Sequence, residues 1–285
     1  MKLMSFFVQH RATFGLVEGE RIFDLGVRLR DNCPDLLFAL RGGWLDRFEG
    51  LVAGAPADYR VDEVTFLPVI PNPPRIFCAG LNYKAHRVEG NRPDTAVPVV
   101  FTRVAESQTG HGRPLVCPIE SDQFDFEGEI AIVIGKGGRR IPQDQAYSHI
   151  AGMSCYNDGS VRDWQLATSQ WAPGKNFPAT GAFGPWMVTA DELPPAVPTS
   201  LVTRLNGVEM QRTTTDMLTF SMPELISHIS TFTTLEPGDV IVTGTPGGVG
   251  LRRDPPLFMK HGDTVEVEVQ GIGVLRNPVM KETAR

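Results

Sequence analysis

The sequence predicts a β-rich mixed α/β protein, with a small N-terminal α/β domain over residues 1–71 and a larger domain over 72–285. Three observations carry that expectation. Short apolar, β-branched runs such as Val240 to Thr243 and Thr264 to Val269 recur between turns rich in Gly and Pro. Asn206-Gly207 is the strongest hairpin signal, because both residues tolerate the positive φ of a two-residue turn. Ser221 to Phe232 carries the fullest helix signature: Ser221-Met-Pro-Glu224 is a capping box, and Leu225, Ile226, Ile229 and Phe232 follow at helical spacing. At 285 residues, 41% hydrophobic and 21% charged, the chain has ample material for a core.

Taken in order, residues 1 to about 70 alternate apolar pieces (MSFFVQH, TFGLVEGERIFDL) with turn signals, and short helices are expected at Leu36 to Leu40 and Trp44 to Phe48. The proline-rich Phe66 to Pro74 has the composition of a junction, which places the boundary near Asn72. Nothing before it gathers catalytic residue types, so packing or interface is its expected role. Arg75 to Ala79 reads as a buried strand that turns at Gly80, and the next segment carries His86 and Glu89. Three residues apart on a helix, the two share a face and the carboxylate can orient the ring, which gives either a general base or a solvated ion pair.

His149 to Tyr156 reads as a strand ending in Asn157-Asp158-Gly159, with Ser160 as the N-cap of a following helix and Asp163 three residues on. Asp158, at that corner, is a turn former or a metal ligand. Trp171 to Trp186 is a rigid, turn-rich loop with one lysine, Lys175, either solvated or set as an ammonium beside a metal. The glycine loop Gly244 to Gly250 lacks Gly-Lys-Ser/Thr, and a proline pair follows where a nucleotide-binding helix would begin, so nucleotide readings fail. Its N–H groups, with Thr243 and Thr245, can receive a carboxylate or simply form a tight turn.

The densest chemistry lies in Phe124 to Lys136, FDFEGEIAIVIGK. On one strand Asp125, Glu127 and Glu129 would share a face. Like charges so close destabilise the strand unless a cation sits among them, so the stretch is either a divalent-cation site or an exposed acidic strand end.

Composition excludes other classes. A net charge of -6 argues against a general nucleic-acid binder, and no uncharged run is long enough to span a bilayer, so a cytoplasmic protein is expected. Cys33, Cys78, Cys117 and Cys155 show no CxxC spacing and read as free thiols.

In order and wording, RIFCAGLNYKAHRVE, FDFEGEIAIVIGK, CYNDGSVRDWQ, GKNFPATGAFGPW, SMPELISHISTFTTLEPGDVIVTGTPGGVG and HGDTVEVEVQGIGVLRNPV resemble the fumarylacetoacetate hydrolase family over about residues 73 to 280. The resemblance implies a fumarylacetoacetase C-terminal-domain-like fold of rolled and packed β-sheets, usually dimeric, so a homodimer is expected. It implies Glu127, Glu129 and Asp158 as ligands of Mg²⁺ or Mn²⁺, leaving Asp125 as a neighbour. His86 with Glu89 becomes the water-activating dyad and Lys175 the charge beside the metal. Gln165, Thr245 and Gly244 fall in the substrate site. Where many members carry lysine this chain has Arg103, which either reads a second substrate carboxylate with its planar fork or merely braces the strand or an interface.

The activity so implied is metal-dependent hydrolysis of a carbon–carbon bond in a small anionic 2,4-dioxo acid, an acylpyruvate or fumarylpyruvate, in catabolism of aromatic or sugar-derived acids. Decarboxylation, tautomerisation or hydration of a related 2-oxo acid through a metal enolate is the alternative. A non-catalytic, metal-stabilised β module is the reading from another class; a structural ion would not need the dyad.

Overall fold

Two continuously buried strands, Gly128–Ile134 and Ile150–Asn157, lie side by side at the centre of the computed structural model, which describes residues 1–29, 32–91 and 93–283. They belong to a large mixed sheet. Across it run Tyr59–Arg60, Arg21–Asp24, Arg11–Glu18, Lys2–Val8, Gly181–Thr189, Ile150–Asn157, Gly128–Ile134, Val240–Val242, Ile76–Gly80 and Val99–Arg103. The first strand, Lys2–Val8, pairs with both Arg11–Glu18 and Gly181–Thr189, so the N-terminal segment continues the hydrogen bonding of the central strands.

Strand alternation divides the interior in two. Ile130, Ile132 and Ile134 point to one face, against a five-stranded sheet that contributes Leu201, Val265, Val267 and Leu275 and against Leu225, Ile226 and Ile229 of the helix Met222–Phe232. Ala131 and Val133 point to the other face, against Leu25, Leu36, Leu40 and Phe48 of the N-terminal helices. A strand covered on both faces needs an uninterrupted apolar run, which is what IAIVI supplies. Mixed sheets packed on each other with helices outside are the β-rich mixed α/β class expected from the sequence.

Local signals translate directly where they are self-contained. Ser221 caps Met222–Phe232 by the expected box with Glu224, and Asn206 and Gly207 take φ of 53° and 78° in the turn between Ser200–Leu205 and Val208–Thr214. The helix after Asp158 departs from expectation. It spans Arg162–Leu166 with Val161 at the N-cap position, because the Ser160 hydroxyl donates back to the Asp158 carbonyl at 2.8 Å and Asp163 accepts instead from Ser121 at 2.7 Å. No helix among the described residues is long and apolar enough to cross a membrane.

One titratable group beside the strand Gly273–Lys281 is expected to make stability sensitive to acid. His111 packs against Phe66 at 4.8 Å between ring centroids, and burial, helped by Arg276, lowers its pKa. A histidine held neutral in the fold takes up protons more readily when unfolded. Its contribution to stability is therefore complete above the unfolded value near 6.5 and is lost as pH falls below that value towards the folded one. The midpoint of urea unfolding is expected to fall between pH 7 and 5, and His111→Phe to flatten that slope.

Candidate active site

The acidic stretch does not form one strand. Phe124–Asp125 pairs with Ser160–Val161, whereas Gly128–Ile134 pairs with Ile150–Asn157, and Phe126 and Glu127 carry the chain from one to the other. Gly128 leaves room at the restart for Thr203: a Cβ there would lie 1.9 Å from Thr203 Oγ1 and force that side chain to move. The break turns Asp125 away from its neighbours. Its carboxylate accepts from the N–H groups of Phe126, Gly250 and Leu251 at 2.8, 2.8 and 2.9 Å and pairs with Arg162 Nε at 2.8 Å. Asp125 therefore braces the glycine loop.

Glu127, Glu129 and Asp158 instead converge, each offering a carboxylate oxygen within 4.8 Å of the others, and all three are buried. Strand pairing sets this up: Glu129 stands opposite Tyr156, and the Asp158 N–H donates to the Glu127 carbonyl at 2.8 Å. Glu127 accepts from Arg162 Nη1 at 2.6 Å and Lys175 Nζ at 2.8 Å. Asp158 accepts from Lys175 Nζ at 2.6 Å and from Arg103. Glu129 has no cationic partner among the described residues, and its hydrogen bond is to the Gly244 N–H at 2.5 Å.

Electrostatics separate the carboxylates accordingly. Burial pushes Glu127 up, but Lys175, Arg162 and His86 outweigh it and hold its carboxyl well below the usual range. Burial and then the Asp158 and Glu127 charges drive Glu129 well above its ordinary value. Burial lowers Lys175, yet Asp158 and Glu127 more than restore it, so the ammonium persists. A buried carboxylate wedged against two others and lacking a counter-charge is where a cation belongs, and three oxygen donors suit a hard divalent ion.

Across the cleft stands the helix Lys84–Glu89. His86 Nδ1 lies 2.7 Å from Glu89 Oε1, and Glu89 Oε2 accepts from the Gly248 N–H at 2.7 Å, so the ring orientation is fixed through the glycine loop. With Nδ1–H on the carboxylate, Nε2 is the nitrogen left for the cleft, which His86 lines with Glu127, Glu129, Asp158 and Lys175. Asn82 anchors the helix start, its side chain bonded to Phe220 and to the Thr243 carbonyl.

The residues expected to meet substrate divide. Gln165 lines the cleft and accepts from Arg162 Nη1 at 2.8 Å. Thr245 lines it too, although its hydroxyl donates to the Gly128 carbonyl and accepts from Gln211. The Gly244 N–H is taken by Glu129, so Gly244 serves the carboxylate triad and not a substrate. Arg103 is the main correction. Its side chain is 0% exposed, with Nη1 on Asp158 and the Gly159 carbonyl, Nη2 on Thr180 and Nε on Ser107, so no donor is left to read a substrate tail.

Two arginines went unmarked in the sequence. Arg162 lines the cleft with a buried Nη2 that has no hydrogen-bond partner, and its spacing of three from Gln165 was the available signal. Arg252 lines the same cleft from the glycine-loop side. Nothing in LRRDPP distinguishes it locally.

Comparison with known proteins places this site in company. The family described as Fumarylacetoacetate (FAA) hydrolase C-terminal matches residues 75–280. The chain is 40% identical over 220 residues to oxaloacetate tautomerase FAHD2A, mitochondrial, of Homo sapiens, covering 76% of this chain and 70% of that one. Among solved structures it is similar to the fumarylacetoacetate hydrolase of Exiguobacterium antarcticum, with a TM-score of 0.84 and 32% identity over 99% of this chain and 100% of the other. It is also similar to maleylpyruvate hydrolase of Sphingobium sp. SYK-6 in complex with manganese(II) and pyruvate, with a TM-score of 0.83 and 25% identity over 99% and 100% of the two chains.

Proposed function

The chain belongs to the fumarylacetoacetate hydrolase family, and on that premise we propose that it is a divalent-metal-dependent tautomerase acting on a small 2-oxo acid of the oxaloacetate type. One observation carries the reading: a single oriented base, His86 on Glu89, faces a carboxylate triad across one cleft. Enol–keto exchange moves one proton between an oxygen and the neighbouring carbon, and one base suffices for it. Relatives at 40% identity that bear the name oxaloacetate tautomerase support the choice.

Glu127, Glu129 and Asp158 would hold Mg²⁺ or Mn²⁺, which when bound supplies Lewis-acid polarisation of the 2-oxo acid oxygens. The chain's own groups do the rest. His86 Nε2 removes the proton from the enol hydroxyl and delivers one to the adjacent carbon, or the reverse. Glu89 keeps the imidazole in the tautomer that exposes a lone pair. Lys175 Nζ and the unpartnered Arg162 Nη2 stabilise negative charge on the oxygen while the proton is in transit. Phe101, Leu166 and Trp171 wall the cleft with apolar surface and restrict water.

The likeness to maleylpyruvate hydrolase in complex with manganese and pyruvate favours a second reading, carbon–carbon bond hydrolysis of a 2,4-dioxo acid. There the dyad would take its proton from water, the resulting hydroxide would add to the distal carbonyl, and the bond to the pyruvate carbon would break with its electron pair left on that carbon, which would take back the proton held by His86 to give pyruvate and the second acid. Mass-resolved assays of oxaloacetate and acetylpyruvate with Mg²⁺, Mn²⁺ or EDTA separate the two. Tautomerisation is expected to consume the enol absorbance at constant mass and to stop with EDTA. Cleavage of acetylpyruvate into two acids, without acceleration of tautomer exchange, would transfer the assignment to the hydrolase.

A further inference from the structure

We propose that Arg252 is a specificity-determining residue that receives the second carboxylate of a dicarboxylic substrate at the mouth of the cleft. The inference rests on the 2-oxo acid reading and adds the distal group to it. Arg252 lines the same cleft as the triad, yet its side chain is exposed and among the described residues its guanidinium has neither an ion-pair partner nor a hydrogen bond, only its backbone N–H being bonded, to the Val249 carbonyl. Its neighbour Arg253 differs: one Nη donates to the carbonyls of Met210 and Gly248 at 2.8 and 3.1 Å.

The backbone that presents Arg252 is fixed. The N–H groups of Gly250 and Leu251 end on Asp125, the Gly250 carbonyl accepts from Leu257 at 3.0 Å, and Gly250–Arg252 is a turn of 3₁₀ helix. With the backbone already fixed, only the side chain is left to be ordered when a carboxylate arrives.

Charge balance selects the ligand class. The buried groups of the centre are four carboxylates, Asp125, Glu127, Glu129 and Asp158, against three cations, Arg103, Arg162 and Lys175, which leaves one negative charge. A divalent cation and a monocarboxylate together bring one positive charge and neutralise it. With a dicarboxylate the negative charge remains, and Arg252 is the lining arginine or lysine without a carboxylate partner, since Lys175 is paired with Glu127 and Asp158, and Arg162, whose open Nη2 serves the reacting oxygen, is paired with Asp125 and Glu127. Val249 and Leu251, the lining residues nearest Arg252 in the chain, offer a second carboxylate no side-chain donor.

Calorimetric titration of the Mg²⁺-loaded full chain with oxaloacetate and with 2-oxobutyrate, which has the same carbon count and a methyl end, tests this. Wild type is expected to prefer oxaloacetate. Arg252→Gln should weaken oxaloacetate binding about tenfold, the scale of one charge-assisted pair, while 2-oxobutyrate stays within about twofold, and Arg252→Lys should restore part of the difference. In turnover the same change should appear in KM for oxaloacetate and not in kcat. Equal weakening of both ligands, no weakening of either, or no preference in wild type would overturn the proposal. The binding ratio decides it even if the enzyme exchanges no tautomers, in which case the proposed reaction falls while the role of Arg252 stands.

Discussion

Glu129→Gln is expected to abolish divalent-cation binding while leaving the cation-free protein at least as stable as the parent. Glu129 is buried beside Asp158 and Glu127 with no cation of its own, so its ionised form is the least favourable charge in the centre. Its folded pKa is raised, which means the fold binds that proton more tightly than the unfolded chain. In the cation-free protein, stability from this group is therefore present at low pH and lost as pH rises from the ordinary value of 4.5 through the raised one. A neutral amide removes the penalty and the ligand together. Wild type should gain about 2.7 kcal/mol when Mg²⁺ or Mn²⁺ reaches a hundred times its Kd, and Glu129→Gln should gain nothing. Glu127→Ala behaves oppositely. It takes one of two carboxylate partners from each of the buried Lys175 and Arg162, which keep Asp158 and Asp125 respectively, so the cation-free protein should lose stability by up to about 3–5 kcal/mol, the cost of breaking a buried pair. Thermal unfolding of both variants with and without cation reads the difference. A cation-induced gain in Glu129→Gln equal to that of wild type would sink the ligand assignment.

The second large effect is expected at His86. His86→Gln should lower kcat by about 10²- to 10⁴-fold, the contribution of a positioned general base, while the cation-dependent gain in stability persists. Glu89→Gln should cause a smaller loss of the same kind, because the imidazole stays but its orienting carboxylate, bonded to both His86 and the Gly248 N–H, is weakened. Steady-state kinetics on the tautomer exchange distinguish this from a binding defect: a rise in KM alone would make His86 a substrate contact and remove it as the base.

Residues whose partners lie within a few positions could be read from the sequence. The Ser221–Glu224 box and the Asn206-Gly207 turn are closed systems of four residues or fewer, and they fold as written. His86 and Glu89 are one helical turn apart, so their contact follows from helix geometry. What escaped depends on pairs separated by tens of residues. Strand parity groups Asp125 with Glu127 and Glu129, and only the arrival of Arg162 and the 250–251 backbone pulls it aside. Arg103 reads equally well as a substrate contact or a brace because two of its partners, Asp158 and Thr180, lie 55 and 77 residues away. The addition of Lys2–Val8 to Gly181–Thr189 carries no local signature either, since sheet edges are chosen by the complementarity of distant strands. The triad itself needed the resemblance, because nothing near Asp158 distinguishes a ligand from a turn former.

The glycine loop sets up a thermodynamic linkage between the two halves of the centre. Gly244 donates its N–H to Glu129 and Gly248 donates to Glu89, so one short stretch of backbone touches both the cation cradle and the carboxylate that aims the imidazole. A cation that draws Glu129 towards itself would alter the Gly244 contact, and the three residues between Gly244 and Gly248 are the short path by which that displacement would reach the Glu89 contact. By reciprocity, whatever factor cation loading contributes to ordering of the dyad, ordering of the dyad returns to cation affinity. The two glycine amides thus act as native reporters at opposite ends of one lever: in a ¹⁵N-edited spectrum both resonances should move when the cation is titrated in, although only Gly244 hydrogen-bonds to a cradle residue.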